Sequence, residues 1–126
     1  MSDSPFHQPT PAAGHVTWPE TLDVLVAAPE HHTLLFENDS VRVLDTRIGD
    51  ADCTPVHAHR WPAALYVVSW SHFVRYDVNG DVVLDSRTAP ALQNPPSAFW
   101  SEPLPPHSLQ NVGAQPLRII SVEVKT

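Results

Sequence analysis

Glycine, cysteine and basic residues are scarce in this sequence. The 126 residues include four glycines, one cysteine and seven lysines or arginines against 14 acidic residues, for a formal net charge of −7. A chain this acidic is poorly suited to bind nucleic acid or an anionic membrane surface, so we expect neither as a partner. The single Cys53 excludes an internal disulfide, which is typical of a reducing compartment, and we expect it to be buried as a small apolar side chain.

Long apolar runs are also absent. No stretch of about 18 apolar residues occurs, so the sequence predicts no transmembrane helix. Residues 1–40 contain six acidic residues and no lysine or arginine, and neither a transit peptide nor a secretory signal is visible in them. These features predict a cytoplasmic protein.

Proline, in contrast, is present in excess. It accounts for 14 of the 126 residues, roughly twice the usual share of about 5%. Because proline interrupts helices and cannot donate a backbone hydrogen bond within a sheet, this composition argues against a helix bundle. It favours short strands joined by stiff turns, in a chain long enough for one domain.

The chain divides into an N-terminal part, residues 1–30, and a longer β-rich part, residues 31–126. Residues 1–16 lack periodicity and are predicted to form a flexible or extended arm. We therefore expect an arm with a short helix, followed by one β-barrel domain.

The short helix is predicted after the arm. Thr17 and Glu20 form a T-x-x-E capping box, and apolar positions follow at helical spacing until Pro29. A strand is the alternative for this segment, because residues 24–28 also form a plausible β run.

From residue 31 onward, short runs of β-forming residues alternate with turn residues at intervals of about eight to twelve positions, a pattern typical of all-β proteins. Asn79-Gly80 predicts a hairpin with a type I′ turn, in which both residues have positive φ. The proline-rich stretches 90–96 and 103–106 are predicted to be connectors. The predicted strands are 33–37, 41–48, 54–59, 63–70, 72–78, 81–87, 97–101, 107–111 and 116–124.

Histidines are the main candidates for chemistry. His57 and His59 are two positions apart, so on a strand both imidazoles point to the same face, as a metal site requires. Two imidazoles are an incomplete ligand set, and a third ligand must come from elsewhere in the chain. His107 is the best-placed candidate, because a proline-rich turn there leads into a strand that can return beside the first.

At these residues the chain resembles the cupin superfamily of small jelly-roll proteins. The first cupin motif, G-x5-H-x-H-x3,4-E-x6-G, is matched by His57 and His59, and the second, P-x-G-x2-H-x3-N, by His107 and Asn111. The resemblance covers about residues 31–125. It implies an all-β fold, a cupin double-stranded β-helix barrel with a short N-terminal helix.

The match to the motifs is incomplete. Ala63 and Ala64 stand where the first motif places its glutamate, and Trp70 takes the place of its closing glycine. Glu102 and Leu104 replace the proline and glycine of the second motif. Three neutral imidazoles leave a divalent ion with its full charge of +2, so such a site favours an anionic, chelating ligand.

The three-histidine pattern is similar to that of the iron-dependent β-diketone and thiol dioxygenases among the cupins. This resemblance implies a divalent metal ion, Fe(II) before Zn, Mn or Ni, held by His57, His59 and His107, with a small-molecule substrate bound directly to it. The alternatives are a non-catalytic cupin that binds a small ligand or metal, and a cupin-type isomerase or epimerase. That last reading requires an acid/base pair, for which the candidates are His72, Tyr66 and Tyr76.

Several other residues have weaker cases. Trp61, Phe73 and Trp100 are candidates for lining a pocket, with core packing as the alternative, and either Glu102 or His72 is a candidate further ligand. We expect His31 and His32 to be solvated before the first strand. Arg60 and Arg75 are expected in surface ion pairs rather than on a substrate carboxylate. Asn111 is expected to bond to loop backbone.

A jelly-roll of this size leaves exposed sheet edges and an open sheet face. Such surfaces favour association with a second copy, so we expect a homodimer.

Overall fold

The computed structural model describes residues 18–126. Its nine strands are β1 (His32–Glu37), β2 (Val41–Ile48), β3 (His57–His59), β4 (Ala63–Ser69), β5 (Phe73–Tyr76), β6 (Val82–Asp85), β7 (Ala98–Ser101), β8 (Leu104–Asn111) and β9 (Leu117–Val124). They form two antiparallel sheets, of order β1-β2-β9-β4-β7 and β3-β8-β5-β6. The predicted all-β fold with a short N-terminal helix is confirmed.

Alternation along the strands decides which side chains enter the space between the sheets. On β4, Ala63 is buried and Leu65 half-buried, whereas the intervening Ala64, Tyr66 and Val68 are exposed. This period of two is what a sheet with one covered face requires. The core comprises Ile48, Phe73, Leu92 and Leu117, against which Leu65, Trp70, Leu84, Ala89, Phe99, Leu109 and Ile119 pack.

The N-terminal helical segment is broken in two. A 3₁₀ helix, Glu20–Leu22, is followed by a short helix α1, Val24–Ala27. Asp23 separates them in an extended conformation, and its carboxylate accepts a hydrogen bond from the Leu25 amide at 3.2 Å. Asp23 therefore caps α1. Thr17 of the predicted capping box lies outside the described residues. No helix within residues 18–126 is long and apolar enough to cross a membrane.

The hairpin between β5 and β6 has a different turn from the predicted one. Gly80 has a φ of 84°, but Asn79 is not among the described residues with positive φ. The Gly80 amide donates to the Asp77 carbonyl at 3.1 Å, and the Asp77 amide donates to the Asp81 carbonyl at 2.9 Å. Because only one residue has positive φ, the type I′ prediction is wrong. The pattern matches a longer hairpin loop with glycine in the left-handed position.

Pro105 and Pro106 lie in a strand and not in a connector, which corrects the prediction at residues 104–106, whereas Pro103 lies outside the strand. β8 begins at Leu104 and pairs with β3 through His57 opposite His107 and His59 opposite Leu104. The register shifts between these two pairs, so the ladder is irregular where Pro105 and Pro106 lie. A bulge of this kind is where a sheet tolerates residues that lack an N–H donor.

Asn111 holds the turn between β8 and β9, as its predicted structural role requires. Its amide donates to the carbonyls of Ile48 and Gln115 at 2.9 and 2.8 Å. Its carbonyl accepts from the Ser71 hydroxyl at 2.7 Å and the Gly113 amide at 3.0 Å. The side chain is 1% exposed, so all of its bonds serve the fold.

Gly113 offers a test of this packing. A Cβ there would lie 2.9 Å from the His72 amide nitrogen and against the Ser71 hydroxyl, so Gly113→Ala must displace backbone. We expect it to lower the free energy of unfolding by about 1–3 kcal/mol, measured by urea denaturation. Gly49→Ala is the matched control, because nothing lies within 4 Å of its Cβ position. Equal stability of the two variants would contradict the packing described.

Candidate metal centre

A cavity of about 90 Å³ lies between the two sheets. This volume holds several water molecules or one small organic molecule. One part of its lining is polar, with four histidines, Arg75 and Glu123; apolar residues form most of the rest: Ile48, Leu65, Trp70, Phe73, Leu109, Leu117 and Ile119.

The four histidines come from three strands of both sheets. His57 and His59 lie on β3, and His107 on β8 directly opposite His57, with ring centroids 4.5 Å apart. His32, at the start of β1, belongs to the other sheet, and its ring centroid is 5.0 Å from that of His57 and 5.9 Å from that of His59. The cluster therefore closes the space between the sheets.

The set of ligand atoms that lies closest together differs from the predicted set. Nitrogen atoms of His32, His57 and His59 all lie within 4.8 Å of one another. His107, the predicted third ligand, lies beside this triangle and stacks on His59 at 5.8 Å between centroids. The structure thus places all three predicted ligands together and adds His32 to them.

The prediction that His31 and His32 are solvated is wrong. They are 8% and 4% exposed. The helical segment before β1 covers them, because the Nδ1 of His32 bonds to the Ala28 carbonyl at the end of α1. His31 does not line the cavity, and its Nε2 lies 2.8 Å from the Asp52 carboxylate.

Every ring of the cluster has its Nδ1 atom beside an oxygen acceptor. The partners are the Ala28 carbonyl for His32 at 3.0 Å, the Pro55 carbonyl for His57 at 2.8 Å, the Glu123 carboxylate for His59 at 3.1 Å and the Pro105 carbonyl for His107 at 2.7 Å. These oxygens only accept, so each Nδ1 carries the hydrogen. The Nε2 atom of each neutral ring then keeps its lone pair for a metal ion.

Burial keeps three of these rings, those of His32, His57 and His107, neutral. Desolvation, and then the neighbouring imidazoles, lower the pKa of His32 and of His57 to about 3. Desolvation lowers the pKa of His107 as well, reinforced by the charges of His57 and Arg75. Metal binding requires neutral imidazole, so at neutral pH these rings are already in the binding form. The nitrogen-only donor set, its fixed tautomers and its charge state fit a divalent transition metal.

A buried carboxylate contacts His59 of the cluster. Glu123, on β9, is 1% exposed and is the cross-strand neighbour of Ala63, one of the two residues that replace the glutamate of the cupin motif. Burial by itself would raise the pKa of Glu123, but hydrogen bonds and charge from His59 and Arg42 lower it below its ordinary value. It is therefore ionised at neutral pH.

The aromatic candidates separate into two groups. Trp61 and Phe73 line the cavity. Trp100 does not. Its side chain lies on the outer face of the sheet and is 40% exposed, and its indole N–H donates to the Glu102 carboxylate at 3.0 Å. The expectation that Trp100 lines the pocket is corrected by this alternation. Glu102 does line the cavity, but it is not in the triangle of ligand atoms.

The acid/base candidates do not line the cavity. Nδ1 of His72 bonds to the buried Ser86 hydroxyl at 2.8 Å, and Tyr76 donates to the Gln110 side chain at 2.8 Å. Tyr66 is 55% exposed on the outer face of the five-stranded sheet. Sheet alternation directs Tyr66 and Tyr76 away from the site, and His72 lies just before β5.

Two arginines and the cysteine also differ from expectation. Arg75 is 1% exposed and lines the cavity rather than forming a surface ion pair, and burial lowers its pKa to about 10. Arg60 stacks over the Trp61 ring at 4.3 Å. Cys53 is exposed, not buried.

Two site residues were missed by sequence reasoning. His32 follows a helix and Glu123 lies in the last strand, so neither belongs to a local motif with His57 and His59. The sequence does contain a weak signal for the acceptors of two Nδ1 hydrogens. A proline stands two residues before both His57 and His107, and its carbonyl accepts the Nδ1 hydrogen in each case.

The lowered histidine pKa values predict acid sensitivity of the metal-free protein. As the pH falls below 6.5, the ordinary histidine value, the unfolded chain binds protons that the folded chain does not. Stability from these groups is full above pH 6.5 and is lost as the pH falls towards 3. Each such histidine adds up to about 1.4 kcal/mol of lost unfolding free energy per pH unit.

Chemical denaturation of the metal-free protein between about pH 6.5 and 4.5, above the range in which ordinary carboxyl groups titrate, checks this prediction. His32→Gln should reduce the slope, and His72→Gln, outside the cluster, should not. A parent protein whose stability is constant over this range would contradict it.

Comparison with known proteins shows the fold. No family model matches the chain, and no curated protein matches it. Among solved structures, a cupin domain from Bordetella pertussis Tohama I aligns with a TM-score of 0.56 and 13% identity, over 75% of this chain and 92% of that one. An RmlC-like cupin family protein with a double-stranded β-helix fold from Methanocaldococcus jannaschii aligns at 0.51 and 10%, over 74% and 77%.

A third solved structure agrees with these two. An uncharacterized conserved protein with a double-stranded β-helix domain from Klebsiella pneumoniae aligns with a TM-score of 0.50 and 17% identity, over 86% of this chain and 90% of that one. At such identities the likeness concerns the fold alone. The chain therefore has the cupin fold, a double-stranded β-helix, and carries within it a group of histidines that could hold a metal ion.

Proposed function

We propose that this chain is an Fe(II)-dependent, dioxygenase-like enzyme whose small anionic or chelating substrate binds directly to the metal. The observation that carries the proposal is a cluster of imidazoles with no carboxylate among the atoms that converge: His32, His57 and His59, with His107 beside them. Neutral donors leave the charge of a divalent ion uncompensated, so an anionic ligand is favoured at its open positions. When bound, Fe(II) supplies the activation of O₂.

Arg75 supports the same substrate class. Its guanidinium is buried in the cavity wall, close enough to His57 and His107 for its charge to lower the pKa of both imidazoles. A carboxylate, enolate or thiolate in the cavity would gain a charge-assisted interaction with this side chain. The apolar part of the wall excludes water and accepts the hydrocarbon part of a small substrate.

The placement of the acid/base candidates favours this proposal over an isomerase or epimerase. His72, Tyr66 and Tyr76 do not line the cavity. Both oxygens of Glu123 are hydrogen-bonded, one to His59 and one to Arg42. Proton transfer between two faces of a substrate would require a pair of groups that reach it.

Oxygen uptake by the iron-loaded protein tests the function. We expect the parent chain to bind Fe(II) and to consume O₂ with at least one member of a panel of small β-diketones, thiols and hydroxy acids. The double variant His57→Ala/His107→Ala should lose most of its metal and the uptake, because it removes two of the four imidazoles. His72→Ala is the matched control, since this histidine is outside the cluster, and it should behave as the parent.

The outcomes separate the candidate functions. Metal binding without O₂ uptake on any substrate would favour a non-catalytic binding protein. Equal metal content in the double variant and the parent would overturn the proposed metal centre.

We further propose that the chain forms a homodimer through the outer face of the five-stranded sheet. Cross-strand neighbours Phe36, Val43, Val122, Ala64 and Trp100 place apolar side chains across all five strands of this face. Phe36 and Trp100 are 52% and 40% exposed. An exposed apolar patch of this kind marks an interaction site, and the ion-paired Asp45, Arg47 and Arg118 lie on the same face.

A second copy is the occupant that fits this face. Five strands about 4.8 Å apart and up to eight residues long make a face of about 20 by 25 Å, the order of size of one side of a standard interface, about 800 Å². Residues 1–17 contain only three large apolar side chains, Met1, Phe6 and Val16, too few to cover it. The same face on a second chain is equally large and equally apolar, as a two-fold interface requires.

Light scattering on the purified protein tests the dimer. The parent should have twice the 13.9 kDa mass of the chain, and Tyr66→Glu, which places a charge in the centre of the face, should be monomeric with its fold retained. Val82→Glu is the matched control, because Val82 is 58% exposed but lies on the other sheet. A monomeric parent would overturn the proposed interface.

A further inference from the structure

Three charged residues, Asp23, Arg42 and Glu123, form a row of hydrogen-bonded side chains that ends at His59 of the histidine cluster. Glu123 Oε1 accepts from Arg42 Nε at 2.6 Å, and the two terminal nitrogens of Arg42 donate to both oxygens of Asp23 at 3.0 Å. The side chains of Glu123 and Arg42 are 1% and 5% exposed, and that of Asp23 is 11% exposed. The second oxygen of Glu123 accepts from His59 at 3.1 Å.

We infer that Glu123 is a positioning residue of the metal centre, supplying through His59 the negative charge that the ligand set itself lacks. The inference rests on the metal site of the proposed function. In this role Glu123 sets the orientation and the tautomer of the His59 ring, and it contributes to the affinity of that ring for a cation.

The geometry leaves Glu123 no direct role as a ligand. One of its oxygens is occupied by Arg42 and the other by the Nδ1–H of His59. A carboxylate on one ring nitrogen makes the opposite nitrogen a stronger donor to a metal ion. The negative charge therefore reaches the ion through the imidazole.

The position of Glu123 in the sheet explains how the carboxylate reaches this place. Glu123 on β9 pairs with both Arg42 on β2 and Ala63 on β4. Ala63 is 6% exposed and lines the cavity, as Glu123 does. The carboxylate thus enters the cavity wall from the neighbouring strand.

The three residues Asp23, Arg42 and Glu123 together keep a net charge of −1, and Asp23 ties them to the backbone of β3. Arg42 is shared between two carboxylates, so one negative charge remains uncompensated within the three residues. Asp23 also forms a bridge with Ala58, the residue between His57 and His59, and caps α1. The helix, the central strands and the ligand strand are therefore held by one set of bonds.

Metal titration of isosteric variants tests this inference. We expect Glu123→Gln to lower the affinity for Zn(II) or Co(II), measured by competition with a chromophoric chelator, by about 10- to 100-fold. Glu123→Ala should lower it further, because the acceptor is lost as well as the charge. The visible absorption bands of bound Co(II) should shift in Glu123→Gln, because the donor strength of His59 changes.

Asp45→Asn is the matched control. Asp45 is 5% exposed and ion-paired with Arg118 and Arg47 in the same sheet, but it contacts no histidine of the cluster. It should lose stability comparable to that lost by Glu123→Gln while keeping the parent affinity and Co(II) spectrum. Arg42→Lys is a second variant, useful if Glu123→Gln does not fold; it loses the Nε–H bond that orients Glu123 and should lower the affinity by a few-fold.

The outcomes are distinguishable. Parent-like affinity and spectrum in Glu123→Gln, or in Arg42→Lys where that variant replaces it, would overturn the inference, as would equal losses in Asp45→Asn. A parent chain that binds neither metal would instead overturn the metal centre of the proposed function.

Discussion

Packing of four imidazoles between two sheets is the constraint on which the rest of the site depends. A buried ring must place its N–H on an acceptor or lose the free energy of that hydrogen bond. In this protein three backbone carbonyls and one carboxylate meet that need on the Nδ1 side. The Nε2 side of every ring is left with a lone pair, so the same bonds that stabilise the fold prepare the site for a cation.

The prolines contribute to this arrangement through their carbonyl groups. Pro55 and Pro105 each lie two residues before a histidine and accept its Nδ1–H. Their rings restrict φ, so the backbone that carries the acceptor varies less than an ordinary loop would. The proline excess that argues against helices is thus partly explained by the fixed geometry around His57 and His107.

Charges of both signs line the cavity. Arg75 lies in the cavity wall, and the carboxylate of Glu123 is held against Arg42 and His59. An ion bound by the imidazoles would therefore meet the charge of Glu123 across the His59 ring. This distribution is the physical basis for proposing an anionic ligand and for assigning Glu123 a positioning role.

The sequence by itself determined the all-β fold class, the approximate positions of the nine described strands, and His57 and His59, because alternation of apolar residues and the H-x-H spacing are local signals with a period of two, and it indicated His107 through the proline-rich turn and the resemblance to the second cupin motif. It could not reveal His32 or Glu123, since their distance from His57 and His59 depends on how β1 pairs with β2 and how β9 pairs with β4. It also misjudged Trp100 and Arg75, because which side of a strand faces the cavity is set by register. Only the tertiary structure decided these points: a one-residue shift in pairing moves a side chain from one face of a sheet to the other.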